Sequence, residues 1–324
     1  METALDLKMR PYSGEQDVYA MAEILNAELK SDGVPGHESA ADMLAWIRNP
    51  SESFTAARDL DFAEIEGKVV AFAERNWVDT TDGKREYRVN GAVLPEWQRR
   101  GIGQALLRLN EQRVRDLAAS QETDNERVVG SWSNDRQEGR IALLRENRYQ
   151  PVRWFFEMIR DLSAPIPEVP LPDSIEVRPV TMDSIRQIWK ADTEAFKDHW
   201  GGFDDSDAHL KAWMDGPNFD PTMWLIAWDG DEIAAGVTNG ISPEENEALG
   251  TKRGWLHTVF TRRQWRKRGL ANALIARSLV LIKERGMDFA VLGVDADNPS
   301  GALGLYERNG FKVLERSTAW RKPL

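Results

Sequence analysis

An internal duplication constrains the fold of this chain more than any other feature. Residues 264–271 (QWRKRGLA) nearly repeat residues 96–103 (EWQRRGIG). The two segments are 168 residues apart, and Arg10 and Arg178, each followed by a proline, keep the same offset. Because one spacing relates markers so far apart, the sequence predicts two tandem copies of one domain. The total of 324 residues agrees with two domains of ordinary size.

A proline-rich stretch separates the two copies. Residues 163–172 contain four prolines, a composition that favours an extended, semi-rigid linker. We therefore predict an N-terminal domain at residues 1–162 and a C-terminal domain at residues 173–324.

Both copies show the same order of predicted elements. Each reads as strand, helix, hairpin, strand, glycine loop, helix, strand, short helix and final strand. In the first copy we place the long helices at 15–29 and 102–117, and the strands at 7–12, 62–65, 69–73, 87–93, 127–132 and 152–159. In the second copy the helices fall at 182–196 and 270–284, and the strands at 175–180, 223–228, 232–237, 255–261, 289–294 and 313–320. This order predicts an α+β class with α/β-type layering.

Charge and composition exclude several classes of protein. The formal net charge is −11, and an acidic surface repels nucleic acid. The chain has no cysteine, which excludes disulfides, thiolate nucleophiles and cysteine metal sites. Residues 1–6 show no signal-peptide pattern, and no apolar run approaches the ~18 residues of a membrane span. We expect a cytoplasmic protein with no nucleic acid or membrane partner.

The duplicated loop has the chemistry of an anion site. Small residues such as Gly269 and Ala271 allow successive N–H groups to point at phosphate oxygens. The following helix contributes its positive N-terminal end, and Arg266, Lys267 and Arg268 add charge. A single loop of this kind is equally typical of a solvated turn, but its repetition favours anion binding. Neither a Gly-Lys-Ser/Thr run nor the third glycine of a dinucleotide fingerprint follows, which excludes those two motifs.

Residues 93–103 and 261–271 resemble the acetyl-coenzyme A signature of the GNAT acetyltransferase family. The resemblance covers nearly the whole chain and implies two tandem GNAT-like domains, each with a mixed, mostly antiparallel sheet flanked by helices. It implies acetyl-CoA or coenzyme A as cofactor, with the pantetheine arm along the strand before the loop, like an added strand. The implied cofactor-binding residues of the second copy are Val259, Phe260, Thr261, Arg266, Lys267, Arg268, Gly269, Leu270 and Ala271. Those of the first copy are Val93, Gln98, Arg99, Arg100, Gly101, Ile102 and Gly103.

The segment 298–311 predicts a short helix and resembles the last motif of the same family. Asn298 suits an N-cap, and Gly310 suits the left-handed position after the helix. The resemblance implies that Tyr306 protonates the departing thiolate and that Asn298 contacts the cofactor. A phenol with a pKa near ~10 is a reasonable donor to a thiolate with a pKa near ~8.5, although a packed core tyrosine is the alternative. In the first copy Leu144 stands at this position, so we expect that copy to be non-catalytic, with a role in coenzyme A binding or as scaffold.

An amine acceptor must lose a proton, and His257 is the best candidate for the base. Alternation along the strand predicts that Trp255, His257, Val259 and Thr261 share one face. A hydrogen-bonded core histidine is the alternative, and Asp295 is a second candidate base. The resemblance implies that residues 194–202 line the acceptor pocket. Glu194, His199 and Trp200 are the candidate substrate-binding residues in this segment. The alternative is that the segment is a helix end followed by a surface turn.

These observations predict an acetyl-CoA-dependent N-acetyltransferase without a metal. The C-terminal domain would transfer the acetyl group to a primary amine of a small molecule or peptide, by direct attack in a ternary complex. We expect a monomer or homodimer. A non-catalytic coenzyme A sensor or scaffold is one alternative, and an aminoacyl-tRNA-dependent transferase, disfavoured by the acidic charge, is another.

Overall fold

The computed structural model describes residues 6–197, 199–202, 204–298 and 301–324. Short 3-10 turns precede several of the helices. The elements up to residue 161 are β1 (Lys8–Pro11), α1 (Gln16–Asp32), α2 (Ala40–Arg48), α3 (Ala56–Asp59), β2 (Leu60–Ile65), β3 (Lys68–Asp79), β4 (Lys84–Val93), α4 (Ile102–Ala119), β5 (Glu126–Asn134), α5 (Glu138–Glu146) and β6 (Gln150–Asp161). The later elements are β7 (Ile175–Arg178), α6 (Ile185–Phe196), α7 (Asp207–Met214), β8 (Leu225–Asp229), β9 (Glu232–Gly240), α8 (Pro243–Leu249), β10 (Arg253–Thr261), α9 (Leu270–Glu284), β11 (Phe289–Asp295), α10 (Ala302–Arg308) and β12 (Lys312–Pro323).

The chain forms two compact units that do not follow the sequence as two consecutive blocks. Unit 1 contains the described residues of Met1–Arg153, Ser206–Pro217 and Ser317–Leu324. Unit 2 contains those of Trp154–Asp205 and Asn218–Arg316. This division differs from the boundary placed at residues 163–172. The reason is that strand pairing, rather than the proline-rich segment, decides where the ends of β6 and β12 belong.

Unit 1 is built on a sheet with the strand order β1-β2-β3-β4-β5-β12. All these neighbours pair antiparallel except β4 and β5, which are parallel. The final strand comes from the C-terminal end of the chain, because Ser317 to Pro323 pairs with β5. Its Trp320 indole donates to Ser133 Oγ at 2.9 Å, and the ring lies in the core beside Tyr87. Residues 317–324 are therefore an integral part of unit 1.

Unit 2 repeats the arrangement with the order β6-β11-β10-β9-β8-β7. Only β10 and β11 are parallel among these strands. Here the residues of β6 from Phe155 to Asp161 provide the strand beside β11. The predicted mixed, mostly antiparallel sheet is thus confirmed in both copies.

The proline-rich segment 163–172 forms neither helix nor strand, as its composition predicts. It is held in unit 2 through its backbone, since Pro165 O accepts from Arg160 Nη2 at 2.7 Å and Val169 O accepts from Arg277 Nη1 at 2.7 Å.

Two helices in each unit contact the strands that carry the duplicated loop. α1 and α4 pack on β3 and β4 in unit 1, and α6 and α9 pack on β9 and β10 in unit 2. The helix after the loop is amphipathic in each copy, and its apolar stripe is buried, as Leu106 and Leu274 show. The loop is therefore held between a sheet and a buried helix.

Helices α2, α3, α7 and α8 are absent from the sequence prediction. α7 belongs to unit 1, where it packs against α2 and where the rings of Trp46 and His209 meet edge to face at 4.5 Å. In the described ranges, no helix is both long and apolar enough to cross a membrane.

Candidate active site

The duplicated loop has the same backbone conformation in both units. In unit 2, Lys267 has a φ of 64° and Gly269 a φ of 84°, and Gly269 caps the N-terminus of α9. In unit 1, Arg99 has a φ of 61° and Gly101 a φ of 84°, at the start of α4. Alternation of left-handed and ordinary residues turns successive N–H groups toward one side, which makes an anion-binding concavity at a helix N-terminus.

The basic side chains of the loop have two kinds of environment, one bonded to neighbouring elements and the other exposed to solvent. Arg266 Nε donates to Thr261 O at 3.1 Å, and Arg266 Nη2 donates to Ala195 O at 3.2 Å. The guanidinium thus fixes the loop against β10 and α6, a role that the sequence did not predict. Lys267 and Arg268 are exposed and can approach an anion from solvent.

A gap between β10 and β11 extends from the end of their pairing toward the loop. The parallel pairing runs from Arg253 to Leu256 on β10 and ends there. Beyond that point the strands diverge, and no side chain in the described part of the chain bonds the Val259 carbonyl. Backbone groups on such a free edge can pair with an extended, amide-bearing ligand.

A β-bulge changes which face of the sheet the side chains of β10 point to. The pairing with β9 shifts register between Leu256 and Thr258, so His257 is the extra residue. Trp255 and His257 both lie on the face of Gly240, but Val259 and Thr261 point to the other face. The prediction that all four share one face was wrong, because simple alternation does not allow for a bulge.

The exposed side chain of His257 lies beside Gly240 and Trp255. Its imidazole stacks on Trp255 at 6.0 Å with the planes 5° apart, and a Cβ on Gly240 would lie 2.5 Å from its Nε2. The side chain reaches solvent, yet the surrounding protein desolvates it and lowers its pKa. The charge of Glu245, whose carboxylate accepts from Trp255 Nε1 at 2.7 Å, opposes this shift only in part. His257 is therefore neutral at pH 7 and able to accept a proton.

Carboxyl groups of β6 and β11 lie on the same face. Glu157 on β6 is opposite Gly293 of β11, where the absence of a side chain leaves open space at the start of the gap. Burial raises the pKa of Glu157 to about 7, although its partner Arg253 at 3.1 Å opposes the shift. Asp295, two residues further on β11, is buried and accepts from Asp297 N at 3.1 Å. The strands thus bring one predicted and one unpredicted carboxylate together.

Asp192 on α6 is a second group that sequence reasoning missed. It is 4% exposed, and its Oδ1 has no hydrogen-bond partner. Burial raises its pKa to about 7, with a hydrogen bond from Thr258 as the opposing effect. The sequence could have indicated this residue, because Asp192 lies between Ile188 and Ala195 in the buried stripe of α6.

Tyr306 lies on α10 and is 6% exposed. Its ring packs edge to face on Phe311 at 6.0 Å, and burial raises its pKa to about 12. The helix begins at Ala302 with Gly301 as its N-cap, so the prediction that Asn298 caps it was wrong. Gly310 has the predicted left-handed conformation, with a φ of 83°. In unit 1 the matching helix α5 has the buried Leu144.

The predicted acceptor wall is brought together only in part. Asn298 Nδ2 lies 3.2 Å from His199 Nε2, and Trp200 packs on Phe155 at 6.1 Å between ring centroids. Glu194 instead pairs with Arg262, with its Oε2 2.9 Å from Nε. His199 and Trp200 remain candidates for acceptor binding, whereas Glu194 acts in the structure as a partner of the residue after β10.

Comparison with protein families decides the class of the chain. The model of the acetyltransferase (GNAT) family matches residues 18–132 and again residues 182–311. The chain belongs to the GNAT acetyltransferase family. The two matches confirm the predicted pair of GNAT domains, and the enzyme is accordingly an acetyl-CoA-dependent N-acetyltransferase.

Similar GNAT proteins match most of this chain. A mycothiol acetyltransferase of Geodermatophilus obscurus is 26% identical over 313 residues, which are 94% of this chain and 94% of the relative. A mycothiol acetyltransferase of Salinispora arenicola is 30% identical over 272 residues, 83% of this chain and 81% of the relative.

Solved structures share the tandem fold of this GNAT protein. A GCN5-related N-acetyltransferase from Sphaerobacter thermophilus has a TM-score of 0.70 and 24% identity, and covers 99% of this chain and 96% of its own. A tandem GNAT protein from the clavulanic acid biosynthesis pathway has a TM-score of 0.72 and 15% identity, and covers 98% of each chain.

The residues of unit 2 fit the acetyl-CoA that this family uses. The concavity of N–H groups at Gly269, with Lys267 and Arg268 exposed beside it, suits a diphosphate. The free edge of β10 at Val259 suits the amides of a pantetheine arm. These two features adjoin each other in the same unit.

Proposed function

We propose that unit 2 transfers an acetyl group to a primary amine of a small molecule, by direct attack in a ternary complex. The observation that carries this proposal is the gap that opens between β10 and β11. It adjoins the anion loop, and His257 and Glu157 lie on one face of the sheet beside it. A donor at the loop and an acceptor on that face would meet at the gap.

Residues of unit 2 hold the two reactants and manage their protons. The N–H groups at Gly269 and the charges of Lys267 and Arg268 hold the diphosphate, with Arg266 bracing the loop. Acetyl-CoA, when bound, supplies a thioester as activated acyl donor. His257, neutral because its pKa is lowered, accepts the proton of the amine, and Glu157 with a pKa of about 7 is the second candidate base. Tyr306 keeps a transferable proton on Oη at neutral pH, because its pKa is about 12.

A small-molecule amine is the acceptor that fits best. Two relatives that match most of this chain are named mycothiol acetyltransferases, after a small molecule rather than a peptide. The carboxylates of Glu157 and Glu245 attract a protonated amine to the acceptor face, and His199 and Asn298 offer polar partners. A peptide N-terminus remains the competing acceptor.

Unit 1 has the loop without the matching acid. Leu144 replaces the phenol and cannot donate a proton. We propose that unit 1 is non-catalytic.

Initial-rate kinetics with acetyl-CoA and a panel of amines test the proposed function. The panel contains amino sugars, amino acids, polyamines and a short peptide. A ternary complex predicts that reciprocal plots at several amine concentrations intersect, whereas parallel lines would indicate a covalent acetyl-enzyme and contradict direct attack. If the enzyme acetylates the peptide but none of the small amines, the small-molecule assignment is wrong.

A further inference from the structure

Unit 1 contains a cavity of about 450 Å³ beside its own anion loop. It runs from the loop residues Arg99 and Gly101 along β4 and under α5. A volume of this size is enough for a nucleotide-sized ligand. Arg140 and Glu28 both line the cavity.

The parallel pairing of β4 with β5 also ends early in unit 1. Lys84 to Arg88 pairs with β5, and the strands then diverge. The residues Val89, Gly91 and Val93 alternate along β4, so their backbone groups face the same side. This edge is the equivalent of the free edge of β10.

Side chains occupy that edge in unit 1. Arg140 Nη2 donates to Gly91 O and to Glu28 Oε2, the latter at 3.1 Å. The Glu28 carboxylate in turn accepts from the Val93 backbone N–H.

The two neighbouring carbonyls on the edge are also bonded. Ser131 Oγ donates to Val89 O at 2.8 Å, and Gln98 Nε2 donates to Val93 O at 3.1 Å. An extended ligand would find the carbonyls of Val89, Gly91 and Val93 already bonded.

The second copy lacks both residues of the ion pair. Ala302 stands where Arg140 stands, one turn before the tyrosine, and Phe196 stands at the offset position of Glu28. The Gln98 contact does have a counterpart, since Arg266 donates to Thr261 O at 3.1 Å. The ion pair and the Ser131 bond to Val89 O together separate the covered edge from the free one, since Gly293 stands where Ser131 stands.

Displacement of the ion pair by a ligand is unfavourable. Glu28 is 9% exposed, and the Arg140 side chain is mostly buried. Separation of two buried charges leaves each without compensation, which costs far more than a neutral amide pair returns. A pantetheine arm therefore does not displace the ion pair between Arg140 and Glu28.

We propose that the cavity of unit 1 binds the nucleotide diphosphate part of a coenzyme A-type ligand, and that Arg140 and Glu28 exclude the acyl-pantetheine arm. The ligand class is an adenine nucleotide with a diphosphate. This inference rests on the proposed function, because it treats the free edge in unit 2 as the seat of the arm.

Calorimetry on the full chain tests the inference. The Gly269→Glu background disables the loop of unit 2, and the two probes are coenzyme A and 3′-phosphoadenosine 5′-diphosphate, which lacks the arm. We expect the two probes to bind unit 1 with affinities within about threefold, because the arm adds no hydrogen bonds. Adding Glu28→Ala and Arg140→Ala together should raise the affinity for coenzyme A by about tenfold, the value of one or two hydrogen bonds, and leave the armless nucleotide unchanged.

Arg145→Ala is the matched control, since Arg145 lies on the same helix but stacks on Trp320 at 5.7 Å. It should change neither affinity. The proposal is wrong if, in the Gly269→Glu background, coenzyme A binds tenfold more tightly than the armless nucleotide. It is also wrong if neither probe binds. Failure of the acetyltransferase assignment is detected separately, as loss of any amine acetylation by the unaltered chain.

Discussion

The side-chain amide of Asn309 donates to Oδ1 of Asn272 at 2.7 Å and so joins the end of α10 to the first turn of α9. The same link recurs in unit 1, where Asn147 donates to Gln104 at 2.9 Å. In unit 2 it fixes the helix of Tyr306 to the helix that the anion loop opens. The proposed proton donor and the proposed cofactor loop are therefore linked by a hydrogen bond between the two helices that carry them.

Loss of the Tyr306 hydroxyl should slow turnover. We expect Tyr306→Phe to lower kcat by about a hundredfold at pH 7.5, because general acid catalysis contributes about 10²–10⁴. The KM for acetyl-CoA should stay the same, and the packing on Phe311 should keep the thermal midpoint near that of the unaltered chain. Steady-state kinetics and thermal unfolding provide the measurement. Tyr87→Phe in unit 1 is the control, and an equal kcat for both variants would contradict the role of Tyr306.

A negative charge at the loop of unit 2 should weaken cofactor binding. Gly269→Glu places a carboxylate beside the proposed diphosphate site at a φ of 84°, so the KM for acetyl-CoA should rise by at least about tenfold. Gly286→Glu is a matched control at the other end of α9, because Gly286 has a φ of 82° and is also open to space. If both variants raise KM equally, backbone strain rather than anion binding explains the effect.

The pH profile of kcat/KM should identify the base. A base must be deprotonated to act, so the rate falls as pH decreases through its pKa. The lowered pKa of His257 places this limb below its ordinary ~6.5, whereas Glu157 would place it near 7. Profiles from pH 5 to 9 for the unaltered chain, His257→Gln and Glu157→Gln decide between them. If the acidic limb of the kcat/KM profile stays at the same pH in His257→Gln, His257 is not the base.

A methyl group on Gly240 should displace His257. Its Cβ would lie 2.5 Å from Nε2 of the imidazole, so the ring must move from its stack on Trp255. We expect Gly240→Ala to lower kcat/KM by about tenfold or more, since misplacement of a catalytic group by about 1 Å is costly. Gly36→Ala, where the added Cβ meets only Leu29 at 3.7 Å, is the control. In a His257→Ala background, Gly240→Ala should cause little further loss, and full additivity would contradict this mechanism.

Neutralisation of Asp192 should stabilise unit 2 at alkaline pH. The folded-state pKa of about 7 exceeds the unfolded value, so the folded state binds the extra proton and stability falls as pH rises from about 4 to 7. Asp192→Asn removes this dependence, and at pH 8 it should raise the free energy of unfolding by up to about 4 kcal/mol. Denaturant unfolding at pH 5 and pH 8 measures the difference. The exposed Asp231→Asn serves as control, and an equal effect of pH on Asp192→Asn and the unaltered chain would refute the prediction.

Much of the fold follows from local sequence patterns. Helix α9 has the predicted bounds Leu270–Glu284, and the hairpins and loops of both copies lie where turn residues indicate them. The glycines at 101 and 269 have the left-handed conformation that an anion loop requires. These features depend on nearest neighbours and on hydrophobic period, which one sequence contains in full.

Other features depend on partners far apart in the chain. The bulge at His257 arises from pairing with β9, so alternation alone misplaced Val259 and Thr261. Glu157 and Gly293 face each other only because β6 pairs with β11. Arg140 meets Glu28 across more than a hundred residues.

The sequence by itself determined the duplication, the two anion loops and the contrast between Tyr306 and Leu144, because each is visible in the order of the residues. Only the tertiary structure decided which strand completes each sheet, which carboxylates share a face with His257, and which β-strand edge is covered. Those outcomes depend on distances between residues remote in sequence, and burial, strand register and ion pairing set them together.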